Sequence, residues 1–414
     1  LGEFVSKTVD AINAAHNASS AVPPPTTLNG RNTGLDLPTA ISGFTGKTSI
    51  AVVDASGQLQ QRVDIDFTAG TMTVNGAAGP SFTSANFLTQ LNTALGGAAT
   101  ASFNNGALTI GAASSANGVS IQDDATTPSS KAGRGFSQFF GLNDLLTSGS
   151  ITNYATGLQS TDASGFPAGQ TLALRITDAN GQLVRDVSIT TPGGTVGQLV
   201  AALNAQSGGV GQYGQFTLDS QGSLAFSAST PGAFSISVLN DQTQRSGSGP
   251  SMSQLFGLGA AQRASRTGTF QIRADIAQNP AYLALAQLNL GAAAGQPVLA
   301  LGDNSGALQL AKAGDASMSF AAAGDFAAST ASVTQYASQF GGALGRKAAS
   351  ADDAKTAAEA VKTEADNRRQ SAEGVNLDEE LVNLTTYQQA YSASARLIQA
   401  AKDMYDTLLA MATN

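Results

Sequence analysis

Two spacings of apolar residues alternate along this chain. Val5, Val9, Ile12 and His16 recur at helical spacing, which predicts a helix over residues 2–18, followed by a linker from Pro23-Pro24-Pro25 through Asn29-Gly30 to Gly34. From about residue 38 the period falls to two, with Thr, Val and Ile alternation broken by Gly, Asn and Ser turns. Helical spacing returns after residue 264. Asn279-Pro280 opens a predicted helical segment with Tyr282, Leu283, Leu285 and Leu288, and Asp303-Asn304-Ser305 predicts the cap of a short helix through Leu308 and Leu310. Phe326, Val333, Tyr336, Phe340 and Leu344 predict a helix over 326–345, and the Ala-rich stretch 350–370 another, with Glu364 and Arg368 as an i,i+4 pair.

The last forty residues have the strongest pattern. Leu377, Leu381, Leu384, Tyr391, Ala395, Ile398, Tyr405 and Leu409 fall on steps of three, four and seven, along one stripe of a helix as in a coiled-coil seam. Asn376 predicts its cap, with Glu379 as the reciprocal partner. A terminal helix with one apolar stripe is built to meet another helix. No second long heptad helix is evident, so Tyr387, Tyr391 and Tyr405 read as part of an intersubunit seam rather than of an internal bundle.

The β-rich middle repeats itself. Ile50, Val52, the turn Asp54-Ala55-Ser56-Gly57-Gln58-Leu59, Val63 and Ile65 match Leu174, Ile176, Asp178-Ala179-Asn180-Gly181-Gln182-Leu183, Val187 and Ile189 without a gap. A short helix follows in each copy, ending in Leu91-Asn92 and Leu203-Asn204. Strands around Leu108 and Ile110, then Val119 and Ile121, are matched to Leu224 and Phe226, then Phe234 and Ile236. Each copy closes on Ser-Gln-x-Phe-Gly-Leu, at Ser137–Leu142 and Ser253–Leu258. Such agreement in order and spacing means a duplicated domain, the first copy carrying an extra hairpin over 71–84. The architecture predicted is multidomain α plus β: a discontinuous helical domain from both termini (1–34 and 264–373), two duplicated β-rich domains inserted (38–150 and 151–263), and a C-terminal coiled-coil-type helix (374–414).

Composition narrows the function. With 414 residues and 42% hydrophobic content the chain can bury real cores, yet only 12% of its residues are charged, against roughly 25% in ordinary domains. A weakly charged polar surface suits extracellular and self-assembling β-rich proteins. There is no cysteine, which excludes disulfides and thiolate chemistry. A net charge of −8 without a basic cluster argues against nucleic acid, and no apolar run approaches a membrane span. The start, Leu1-Gly2-Glu3-Phe4-Val5, lacks an initiator Met and a signal peptide and reads as the middle of a helix, so a preceding segment is expected.

No catalytic, cofactor or metal site is expected. His16, the one histidine, sits on a helix face beside Ile12 and reads as structural. Asp378, Glu379 and Glu380 are the acidic first turn that a helix dipole favours. Gly133-Arg134-Gly135 lacks the context of a phosphate loop, and Asp123-Asp124 and Asp352-Asp353 lack calcium-loop spacing. The candidate residues are instead an assembly interface: Leu377, Leu381, Leu384, Tyr387, Tyr391, Ile398, Tyr405 and Leu408.

The segments Asn376-Leu377-Asp378-Glu379-Glu380-Leu381, Tyr387-Gln388-Gln389-Ala390-Tyr391, Ser394-Ala395-Arg396-Leu397-Ile398 and Asp406-Thr407-Leu408-Leu409 closely resemble the C-terminal signature of flagellar rod, hook and hook-associated proteins, and within them the FlgK family. Ala11-Ile12-Asn13-Ala14-Ala15-His16 with Leu28-Asn29-Gly30, and Gly302-Asp303-Asn304-Ser305-Gly306-Ala307-Leu308, are similar to two further stretches of that family. The family's N-terminal helix, the natural partner of residues 376–412, has no counterpart in this sequence. The resemblance implies a non-enzymatic structural protein, secreted by flagellar type III export and self-assembling at the junction of hook and filament. Its implied partners are further copies of itself, the hook protein, a second junction protein (hook-associated protein 3) and an export chaperone on the C-terminal helix, with no nucleic acid, membrane or cofactor. The alternatives weighed are a hook protein or filament cap and, more distantly, an adhesin or glycan-binding module, which 18 Phe, 7 Tyr and no Trp supply poorly once the cores are filled. A peptidoglycan hydrolase would need an acidic dyad or a histidine site, for which no convincing candidate exists.

Overall fold

Helix α1 (Gly2–Asn17) forms where the helical spacing predicts it, but the face it buries is largely polar. Glu3, Ser6, Asn13, His16 and Asn17 are buried beside Val9 and Ala11, while Val5 and Ile12 are only half-buried. Each buried polar group has a partner, the condition for burying it. Glu3 accepts from Arg266 Nη2 (2.9 Å) and from the Ala321 N–H (2.8 Å), while Asn13 accepts the N–H groups of Leu145 and Leu146. Helix α1 is thereby tied to segments far along the chain.

The computed structural model describes residues 1–247, 249–324 and 326–412, so the last two positions of the predicted 374–414 segment lie outside the described residues. The chain divides into two units, residues 1–338 and 339–414. Residues 339–373, grouped by the sequence pattern with 264–338, therefore fall in the second unit. The fold class is the multidomain α plus β that the periodicity predicts.

The stretch read as a linker is instead built into the first β-domain. Strand β1 (Thr27–Asn29) pairs antiparallel with residues 109–111, Leu28 opposite Ile110. After the short α2 (Leu37–Ile41), strands β2 (Lys47–Asp54), β3 (Leu59–Asp66), β4 (Thr71–Val74) and β5 (Ala77–Ser81) lead to helix α3 (Phe87–Leu95). They are followed by β6 (Ala99–Asn104), β7 (Ala107–Ala112), β8 (Asn117–Asp123) and α4 (Phe136–Phe140). One sheet has the order β5-β4-β3-β2-β8 and a second β1-β7-β6. The hairpin predicted over 71–84 is β4–β5.

A short β9 (Leu146–Ser148) precedes the second copy: β10 (Thr171–Asp178), β11 (Leu183–Thr190), α5 (Val196–Leu203), β12 (Gly214–Leu218), β13 (Leu224–Ala228), β14 (Phe234–Asp241) and α6 (Met252–Phe256). Its sheets are β11-β10-β14 and β12-β13. Ile50 faces Val63 and Leu174 faces Val187, and both hairpins shift register at the same place, between Val52 and Val53 and between Ile176 and Thr177. In both turns one aspartate oxygen, of Asp54 or Asp178, accepts the N–H groups two and four residues on. Asn92 brackets Ala101, donating to its carbonyl (2.9 Å) and accepting its N–H (2.8 Å), and Asn204 does the same to Phe216 (2.8 and 2.7 Å). The closing motif is a helical turn ended by Gly141 or Gly257 in left-handed conformation, with Leu142 and Leu258 bonding back to Ser137 and Ser253. The last strands align differently from the sequence matching. Val52 faces Val119 while Ile176 faces Ile236, so Val119 and Ile121 correspond to Ile236 and Val238, not to Phe234 and Ile236.

The copies differ in what covers them. Strand β2 is buried from Thr48 to Val53, because Ala51, Val53 and Leu59 pack under Ala286, Leu288, Val298 and Leu299 on the far face of the sheet. Strand β10 alternates, with Leu172, Leu174 and Ile176 buried and Arg175 and Thr177 half-buried. The sequence carries this difference: Ile50-Ala51-Val52-Val53 is continuously apolar, whereas Leu174-Arg175-Ile176-Thr177 alternates. Buried side chains of both copies, from Leu28 to Leu258, form one continuous core.

Residues 264–338 are less helical than their spacing predicts. The short α7 (Ala260–Ala264) leads into them, and they hold β15 (Phe270–Ile272), paired with β9, α8 (Ala274–Gln278), α9 (Ser305–Ala311) and the hairpin β16 (Ser317–Phe320) with β17 (Ser329–Ser332). The segment after Asn279-Pro280 makes one 3-10 turn, Pro280–Tyr282, and then runs extended. There the Ala284 N–H is taken by His16, and Ala286 exchanges hydrogen bonds with Ser20, so bonds to distant chain replace a helical ladder. Helix α10 (Val333–Glu373) likewise starts seven residues later than predicted, because β17 occupies 329–332. Its first turns bury Val333 and Tyr336, the latter stacked on Phe320 at 4.0 Å. Helix α11 (Leu377–Ala412) completes the chain.

Candidate assembly interface

Helix α11 has 36 residues, about 54 Å of axis. Asn376 Oδ1 accepts the Asp378 N–H (3.2 Å), and Asp378, Glu379 and Glu380 lie in the first turn, where the helix dipole favours them. The expected reciprocal bond from Glu379 does not form. Leu377, Leu384, Tyr391, Ile398 and Tyr405 recur every seven residues, and the companion column is Leu381, Gln388, Ala395, Lys402 and Leu409. All described residues of α11 are exposed, and with them every proposed interface side chain: Leu377, Leu381 (64%), Leu384, Tyr387, Tyr391, Ile398 (71%), Tyr405 and Leu408. A straight helix drifts about 20° per heptad, so a partner that follows the whole column must wind around it left-handedly.

The sequence reading missed a second apolar column. Leu397, Met404 and Met411 also recur every seven residues and are exposed. They precede the first column by one position, which sets them about 100° away around the axis. The C-terminal half of α11 therefore offers two apolar faces. The repeated spacing was the available signal, hidden because Met and a single Leu were not set against the Leu and Tyr stripe.

A second long helix exists, but it is not a second heptad helix. Helix α10 has 41 residues, but beyond its first turns it is mostly Ala and charged residues. It stabilises itself locally with Lys362–Asp366 (2.8 Å) and Glu364–Arg368 (2.7 Å), both at i,i+4. It carries no heptad of large apolar residues to answer that of α11.

The remaining candidates occupy structural positions. His16 is fully buried, its Nδ1–H donating to the Asn143 carbonyl (2.6 Å) and its Nε2 accepting the Ala284 N–H (3.0 Å). Burial, partly offset by the bond to Asn143, lowers its pKa from 6.5 to about 4. Asp123 is pushed up by burial and holds the Ser129 hydroxyl, which receives the N–H that opens α4. Asp241 and Thr243 hold the start of α6 in the same way. Asp124 accepts the N–H groups of Thr126 and Thr127, while Asp352 and Asp353 are exposed on α10. Among the described residues no helix is long and apolar enough to cross a membrane.

Residues 368–411, nearly all of α11, match the family described as Flagellar basal body rod FlgEFG protein C-terminal. Flagellar hook-associated protein 1 of Escherichia coli (strain K12) is 39% identical over 66 residues, 16% of this chain. Together these likenesses support a flagellar structural component. The aligned part is 12% of the length of that hook-associated protein. The family match takes in the end of α10 and nearly all of α11, whose described residues are exposed, and it leaves the duplicated β-domains outside it.

Proposed function

We propose that this chain is a subunit of the junction between hook and filament, secreted through the flagellar export apparatus and assembled by α11. The observation that carries this reading is the coincidence of the flagellar likeness with an apolar-striped helix whose described residues are all exposed. A 36-residue helix with a bare Leu and Tyr column gains its stability by packing, so neighbouring copies and adjacent axial proteins are its natural cover. The second column of Leu397, Met404 and Met411 gives each helix two neighbours. The β-domains then project outward, and the role is mechanical, without turnover. The hook protein, hook-associated protein 3 and an export chaperone that shields α11 are the partners this reading requires.

Leu381→Ala with Ile398→Ala tests it in a motile host whose own protein is replaced by the variant. Each truncation removes about 2–5 kcal/mol from a packed seam. The purified chain should melt as before, because both side chains are exposed in it. In cells the variant should be exported, yet leave hooks without filaments and flagellin shed into the medium. Normal filaments with normal occupancy of the hook tip would sink the assembly role of the stripe. A second reading, a subunit of the rod or hook shaft, is favoured by the description of the matched family, and immunogold labelling along the shaft rather than at its tip would select it.

A further inference from the structure

Arg134 is the least explained charge in the first unit. It is 6% exposed and forms no ion pair among the described residues; its Nη2 donates to the Ala155 carbonyl, and its Nε has no partner. The Phe139 ring lies 5.1 Å from its guanidinium carbon. A buried cation with an unsatisfied N–H is costly, and a native fold holds one where something complements it. Arg134 lines a small pocket together with Arg31, Asn32, Ser150 and Thr152. No carboxylate lines this pocket, whereas the adjoining one is lined by Asp10 and Asp144. Arg31 is already paired with Asp144 (3.0 Å), and Asn32 Oδ1 is already taken by the Gly34 N–H (2.7 Å). We infer that the pocket binds one small monovalent inorganic anion of the chloride class against the Arg134 guanidinium.

Size and position specify the ligand further. The cavity is about 20 Å³, enough to admit a water-sized occupant. It lies where the strand-end segment 31–33, the close of the first β-copy at Arg134–Phe139 and the start of the second at 150–156 converge. Burial, and then the Arg31 charge, lower the Arg134 pKa to about 10, and an anion opposes both effects.

The test uses the whole chain, melted in sodium chloride or sodium bromide against a bulky organic anion at constant ionic strength. The midpoint should rise by a few degrees, saturably, with chloride and bromide only. A crystal grown in bromide should show an anomalous peak beside Arg134. Arg134→Met should lose the halide dependence, Arg134→Lys should retain a weaker one, and Arg175→Met, on β10 and outside the pocket, should leave it intact. If Arg134→Met does not fold, the wild-type bromide map and the Lys variant decide. Melting blind to the identity of the anion, a water in place of the peak, or a peak without thermal effect, which marks an adventitious ion only, would each overturn the inference.

Discussion

Mild acid will destabilise the first unit through His16. Its neutral ring offers one N–H and one lone pair, and both are used, on the Asn143 carbonyl and the Ala284 N–H. Burial disfavours the charged ring, which is why its pKa drops from 6.5 to about 4, and protonation would also turn Nε2 into a donor facing the Ala284 N–H. The unfolded chain therefore takes up the proton first. The contribution of His16 is complete above about pH 6.5, declines as pH falls, and is gone below about pH 4. At about 1.4 kcal/mol per pH unit, that gap corresponds to about 3 kcal/mol. Urea unfolding across this window, compared with His16→Gln, isolates the effect. Asp123 and Asp144, whose pKa values burial raises, work in the opposite sense, because the folded state takes up their protons first. They are common to both proteins and cancel. The variant should be less stable at neutral pH and show the flatter profile toward acid. Parallel profiles for the two proteins would refute the bridging role of the ring.

Asn92→Ala and Asn204→Ala should each cost about 1–3 kcal/mol in thermal or urea unfolding, since each leaves a strand N–H and carbonyl unpaired. A negligible cost in one copy would show that the two clamps are not equivalent. Glu3→Gln breaks the buried pair with Arg266 and should cost about 3–5 kcal/mol, with part recovered in the double variant Glu3→Gln, Arg266→Met. Unchanged unfolding of the single variant would mean that α1 is not anchored there.

The duplication was legible at the level of register. Asp54 and Asp178 head matching turns because each chelates two N–H groups of its own loop, a local device that sequence carries whole. The shift of the last strand pair was not legible, since alternating apolar residues fit a slide of two positions equally well. Only the neighbouring strand chose between Ile236 and Val238 as the counterpart of Ile121. The predicted helix after Asn279 failed for a related reason: its apolar spacing is helical, but its backbone groups are claimed by His16 and Ser20. In the assembly interface, the column Leu377 to Tyr405 was readable and its exposure was not, because periodicity names a face without naming what covers it.

Sequence by itself determined what depends on neighbours a few residues away: the helical stripe of α11, the paired turns, the left-handed glycines that end the closing motifs, and which copy has a strand apolar on both faces. Tertiary structure decided what depends on groups hundreds of residues apart. The polar face of α1 is the clearest case, since Glu3 and Asn13 look like solvent-facing residues until Arg266 and Leu145 arrive to pair with them. Burying a polar group is unfavourable or favourable according to whether its partner is present, and that partner is chosen by the fold rather than by local sequence.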